Sequence, residues 1–181
     1  MMDKFKKMRK KALSGKLEKH LFKKAAPAFL AIDGRYYITD RHHTSRAALE
    51  VYKQGLSSIA AFPLIINESY RALPMTDFTN KMNKRGLLYL YLRGERQEPS
   101  SLPRTLSELE DDPYRSLSWL MREEGCFEKV DTPYLEFIWA DFLRSKIELK
   151  SGSETDLLGV LQNAMELCDS QEASRLPGFR K

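Results

Sequence analysis

Asp33-Gly34-Arg35-Tyr36-Tyr37-Ile38-Thr39-Asp40-Arg41-His42-His43-Thr44-Ser45-Arg46-Ala47-Ala48 is the stretch from which the fold can be read. It opens on Asp-Gly, the strongest short hairpin signal, because both residues tolerate positive φ. Ala28-Phe29-Leu30-Ala31-Ile32 before it reads as one strand, and Tyr36-Tyr37-Ile38-Thr39 after it as the partner. Asp40-Arg41-His42-His43 shows no periodicity, and from Thr44 or Ser45 a helix begins, with Gly55 as its stop. Two of the three histidines, one acid and two arginines therefore crowd a strand-to-helix turn. A helix start offers unpaired backbone N–H groups and the positive end of the helix dipole, so it suits an anion such as phosphate.

On either side the chain is mostly helical. Phe5, Met8, Leu13, Leu17 and Leu21 fall at helical spacing among lysines, giving one or two amphipathic helices over 3–24 that break at Ser14-Gly15. Ile59 to Ile66 reads as a buried strand, with Pro63 arguing for an edge or a bulge. A short helix starts near Pro74 with Thr76 as N-cap and ends before Gly86, and Leu87 to Leu92 reads as another strand. Residues 94–104 form the longest loop, and Thr105 with Glu108 has capping-box spacing. Asp112 caps a helix that has Pro113 at its first position and Gly125 behind Glu124 as its stop. Pro133 repeats that role for a helix through Lys150, and a last helix covers 154–168 after the linker Ser151-Gly152-Ser153. The fold class is α+β: a small mixed sheet with surrounding helices and a helical C-terminal half. The expected organisation is a basic helical arm over 1–24, an α+β body over 25–150, and a helix and tail over 151–181 packed on the same domain.

At 181 residues one domain is expected. A hydrophobic fraction of 42% and a charged fraction of 30% are those of a soluble globular protein. No apolar run approaches the roughly 18 residues needed to span a bilayer, so no membrane role is expected. The Lys-rich start lacks an apolar core behind it and is no secretory signal. Cys126 and Cys168 show neither metal-ligand spacing nor a framework pattern, which suits a reducing cytoplasm. The net charge of +5 is unevenly spread. Residues 1–24 hold ten Lys or Arg against Asp3 and Glu18, whereas 25–181 hold 20 basic and 23 acidic side chains. Such asymmetry points to a nucleic-acid or acidic-surface contact, or else to a solvated helix face.

The run Gly-Arg-Tyr-Tyr-Ile-Thr-Asp-Arg-His-His resembles the strand–Asp-Gly-His-His–helix signature of the ParB-like nuclease branch of the ParB/sulfiredoxin superfamily. Leu109-Glu110-Asp111-Asp112-Pro113-Tyr114-Arg115-Ser116-Leu117 resembles its Asp-Asp-Pro-Tyr-Arg-Ser block, and Glu136-Phe137-Ile138-Trp139-Ala140-Asp141-Phe142 its Glu-Phe-x-Trp-Ala-Asp-Phe helix. The three blocks lie in order over roughly Pro27 to Ile147. Members of the branch often carry a further strand ahead of the first helix, so a trimmed start is expected. Arg41 stands where the branch usually has Gly; if that position needs φ > 0, Arg costs about 1 kcal/mol or more there. Sulfiredoxins carry a cysteine at this turn and partitioning ParB proteins an Arg pair. Arg41-His42-His43-Thr44 has neither, so sulfinic-acid reduction and plasmid partitioning are not expected.

The resemblance implies phosphate chemistry on a ParB/sulfiredoxin-like fold: hydrolysis of a phosphodiester or a nucleotide phosphate bond at Asp40–Arg46. Histidine ionises nearest neutrality, so His42 and His43 can trade a proton around a phosphoryl group, with Asp40 beside them. Arg41 and Arg46 supply guanidinium forks for phosphate oxygens, and Thr44 and Ser45 complete the cradle. Asp111 and Asp112 are candidate ligands for Mg²⁺ or Mn²⁺, and Arg115 for an anion. Alternatively, Asp112 is a helix cap and Arg115 pairs with Asp111. Glu136, on one helix face with Trp139, is a candidate acid or base with a raised pKa, or else pairs with an arginine. The expected partner is a nucleotide or nucleic acid. A non-catalytic nucleotide- or protein-binding module and a small-molecule kinase are the other readings.

Overall fold

In the computed structural model, which describes residues 2–180, the Asp33-Gly34 turn joins β1 (Ala26–Leu30) to β2 (Tyr36–Ile38) in antiparallel register, Leu30 opposite Tyr36. Gly34 takes φ 76°, and the Asp33 carboxylate accepts from the Arg35 amide and the Tyr37 hydroxyl, each at 3.0 Å. β3 (Leu64–Ser69) lies parallel to β1 on its other side, so the order is β2-β1-β3. The buried strand expected over 59–66 is corrected in two ways. It begins after Pro63, whose carbonyl accepts the Ala26 amide while its ring nitrogen has no hydrogen to give. It is also exposed rather than buried, with Ile65 and Ile66 open to solvent, while its place at the sheet edge and the register shift beside it agree with the reading of Pro63.

Around this sheet pack α1 (Met2–Leu13), α2 (Leu17–Lys23), α3 (His42–Lys53) and α4 (Met75–Lys84). α1 and α2 break at Gly15, φ 66°. Met8, Leu17 and Leu21 are buried against Ala47, Ala48 and Val51 of α3, each such apolar side chain contributing roughly 1.5–3 kcal/mol. A second cluster joins Phe29 and Ala31 to Phe78 and Met82 of α4. The chain divides into two compact units: the first runs to Leu90 and takes in Glu98–Glu110, the second comprises Tyr91–Gln97 and the chain from Asp111 on. The basic arm shares its core with α3, and the C-terminal helix shares one with the helices that follow Asp111.

In the second unit, β4 (Tyr91–Leu92) and β5 (Glu95–Arg96) form a short hairpin through Arg93-Gly94, both at positive φ. Only the end of the expected strand 87–92 pairs, because Leu87 and Leu88 pack on the Phe29 cluster. α5 (Pro113–Glu123), α6 (Leu135–Arg144) and α7 (Glu154–Glu166) follow. Asp112 caps α5 through the Tyr114 and Arg115 amides, as expected, and the Ser153 side chain caps α7 through the Asp156 amide. α6 is shorter than the helix expected through Lys150, since the Lys146 and Ile147 amides turn back onto the Leu143 carbonyl. Trp139 is fully buried, stacked on Phe127 with ring centres 4.2 Å apart, and its indole N–H donates to the Pro177 carbonyl at 2.9 Å. The cysteines correct the reading of unpaired thiols: Cys126 and Cys168, 42 residues apart, form a disulfide with Cα atoms 5.5 Å apart. Their pairing takes away the ground on which a reducing compartment was expected. Among the described residues no helix is long and apolar enough to cross a membrane.

Candidate functional site

The turn at the end of β2 delivers Asp40 to the start of α3. Asp40 is exposed and folds back on its neighbour, accepting the Arg41 amide at 2.6 Å, with Arg41 Nε 3.5 Å from its other oxygen. Arg41 sits at φ 68°, the left-handed conformation that glycine adopts without penalty, and is the N-cap of α3. Its Nε is buried and makes no hydrogen bond. α3 starts at His42, two or three residues earlier than expected, so both histidines lie in its first turn. No side chain caps that start and no acid lies in the turn, which leaves helix-start N–H groups directed at whatever occupies it.

The residues of the turn are differently employed. The His42 ring is half-buried with Nε2 3.2 Å from the Ile38 carbonyl. A carbonyl only accepts, so Nε2 carries the hydrogen and the neutral ring keeps its lone pair on Nδ1. Burial, against the opposing pull of that carbonyl and of Asp40, holds the pKa of His42 below its ordinary value. His43 is half-buried. Thr44 and Ser45 are buried, and the Ser45 hydroxyl donates back to the Arg41 carbonyl at 3.0 Å. Arg46 is spent on structure: Nε reaches Glu50 at 3.1 Å, while Nη1 donates to the carbonyls of Leu106, Ser107 and Leu109 at 2.8, 2.5 and 3.1 Å. Arg46 and Ser45 are thus engaged with the protein itself, which the sequence expectation did not allow for.

The other candidates belong to the second unit. Asp112 uses one oxygen on the α5 amides and gives the other to Arg144 Nη2 at 2.5 Å. With Asp112 so occupied, and no group of three or more His, Cys, Asp or Glu placed to hold a metal ion among the described residues, Asp111 and Asp112 do not fit a Mg²⁺ or Mn²⁺ site. Glu136 is bonded to Arg122. Of the two readings of Glu136, the pairing with an arginine is the one the structure has, and the Trp139 indole packs on Phe127 and Phe142. Arg115 has a buried Nε without a hydrogen bond. Burial is the chief cause that lowers its pKa, with Arg122 working the same way and Glu136 the opposite. Arg122 escaped the sequence reading, although Arg115, Ser118 and Arg122 already show the three- and four-residue spacing of one helix face.

A family model described as "Putative ParB-like nuclease" matches residues 1–145. Among solved structures, protein Atu1540 from Agrobacterium tumefaciens is similar, with a TM-score of 0.73 and 32% identity, over 86% of this chain and 80% of that one. No curated protein matches the chain.

Proposed function

As the chain belongs to the ParB-like nuclease family, whose model matches residues 1–145, we propose that it handles phosphate at the start of α3 and hydrolyses a phosphodiester or a nucleotide phosphate bond there. The observation that carries this reading is the uncapped helix start: it opens on a left-handed Arg41 and holds two histidines in its first turn. Backbone N–H groups and the Arg41 guanidinium hold the phosphate oxygens. His42, with its lone pair on Nδ1, takes the proton of a water as the water oxygen bonds to phosphorus. The bond from phosphorus to the leaving oxygen breaks, and that oxygen receives a proton from His43. Arg46 and Ser45 position the turn. No step is routed through a metal ion.

The substrate class follows the family and the charge of the arm, whose basic helices α1 and α2 supply a sequence-independent contact to nucleic acid. The same reading places the protein in the cytoplasm, where nucleotides and nucleic acid are found. Alkylation in cell extracts tests that placement: Cys126 and Cys168 trapped as thiols support it, and a bonded pair counts against it.

Incubation with short single- and double-stranded oligonucleotides and with nucleotides, followed by phosphorus NMR, tests the chemistry. Turnover is expected, and His43→Ala is expected to lower it by about 10²-fold or more at unchanged stability. Absence of turnover with every phosphate compound, or full activity in His43→Ala, defeats the reading. Stabilisation by a nucleotide without turnover supports instead a non-catalytic binding module. The engagement of Ser45 and Arg46 elsewhere favours that second reading.

A further inference from the structure

Arg115, Ser118 and Arg122 stand on the face of α5 that packs against α6. Ser118 is fully buried, and its hydroxyl donates to the carbonyls of Arg115 at 2.9 Å and of Glu136 at 2.7 Å. This small residue brings the two helices together between the two arginines. The acids of the neighbourhood are committed elsewhere. Glu136 is bonded to Arg122, which also reaches Glu123 at 3.1 Å. Asp112 is divided between the amides of α5 and Arg144. Arg115 is left with a buried Nε that has no acceptor. A desolvated guanidinium with an unmet N–H is costly, so a fold that keeps one has a use for it.

We propose that Arg115, with Arg122 on the same helix face, receives a phosphate oxyanion in the second unit, free or as a monoester. The ligand oxygen accepts the buried Arg115 Nε–H, which no carboxylate around it accepts. The planar fork of Arg115 matches two oxygens of one phosphate, which a lysine could not do. Nothing in this site draws on the turn at 40–46, so it stands or falls separately from the hydrolase reading.

The test is thermal unfolding of the full chain at constant ionic strength, with inorganic phosphate and, separately, a nucleoside monophosphate. Saturating phosphate is expected to raise Tm by several degrees. In an Arg41→Gly background, which weakens phosphate binding at the turn, Arg115→Met is expected to abolish the rise that remains while unfolding, without phosphate, no lower than its Arg41→Gly parent, since it removes a buried Nε–H that has no acceptor. Arg115→Lys keeps the charge and loses the fork, so it keeps the fold and loses most of the rise; it decides the matter if Arg115→Met does not fold. His43→Ala keeps the rise. Equal effects of the two probes assign free phosphate, and a larger one from the nucleotide assigns a monoester. No rise in the parent, an undiminished rise in either Arg115 variant, or a rise lost in His43→Ala alone overturns the proposal.

Discussion

Arg41 holds a backbone conformation that its own side chain resists. A left-handed non-glycine residue costs roughly 1–3 kcal/mol, and a glycine there would lose about 0.5–1 kcal/mol of extra chain entropy. Arg41→Gly is therefore expected to stabilise the fold by about 1 kcal/mol, a Tm rise of roughly 2–4 °C for a chain of this length. The same change removes a phosphate donor, so affinity for phosphate at the turn should fall as stability rises. Lower stability in the variant would show that the contacts of Arg41 with Asp40 outweigh the strain. His42 gives a pH signature. Burial lowers its folded pKa beneath 6.5, so the unfolded chain takes the proton first. Its contribution is complete above pH 6.5 and is lost as pH falls through the folded value. His20 is shifted the same way, by burial and then by Lys11, Lys7 and other lysines. Chemical denaturation between about pH 5 and 8 should show stability falling toward acid, and His42→Gln should remove part of that slope. An unchanged slope would mean that His42 is not the group. The need for positive φ at position 41 was legible, because a side chain in a glycine position poses a question about φ. That the His42 ring turns to Ile38 was not, since it depends on α3 starting earlier than its apolar periodicity suggests.

At the scale of elements, α3 is fastened to 106–109 by one side chain. Arg46 answers three carbonyls and Glu50, and Lys53 adds a bond to the Ser107 hydroxyl at 2.9 Å. Arg46→Met leaves those carbonyls without a donor and is expected to cost roughly 2–3 kcal/mol. Hydrogen exchange should then quicken at 106–109 while β1 stays protected. Uniform loss of protection would show a wider role. Helix ends were legible at Gly15, Asp112 and Gly125, but not at Pro133, since α6 starts at Leu135 behind a left-handed Tyr134, nor at Thr76, since α4 already starts at Met75. Ends decided by distant partners were not legible either. The last turn of α6 is set by where Leu143 and Ile147 find hydrogen bonds, and β3 begins where Pro63 allows it, neither of which follows from local propensity.

For the molecule as a whole, the two units differ in how they are secured. The disulfide closes a 42-residue separation, enough to contribute about 3–4 kcal/mol by restricting the unfolded chain. Trp119 and Trp139 both belong to the second unit, so tryptophan fluorescence reports on it. Reduction should lower the fluorescence-detected denaturation midpoint, with a loss of unfolding free energy of about 3–4 kcal/mol, and Cys126→Ser should reproduce the shift. A midpoint indifferent to reductant would mean that the thiols are not bonded in solution. Sequence spacing could not pair these cysteines, because the pairing depends on the path of the chain between them. The division into units was equally hidden, since Tyr91–Gln97 belongs with residues that come later in the chain.

The contact between Trp139 and Pro177 also sets a timetable for synthesis. The indole N–H waits for a carbonyl 38 residues further on, and Phe127 waits for Phe179 to complete an isolated bridge. At about 5–20 residues per second, the ribosome needs roughly 2–8 s after Trp139 to supply that cover. During that interval the largest side chain of the core lacks its final lid, whereas the Asp33-Gly34 hairpin, joined over so few residues, already has its partner strand. The second half of the chain is thus the one that calls for chaperone shelter as it leaves the ribosome.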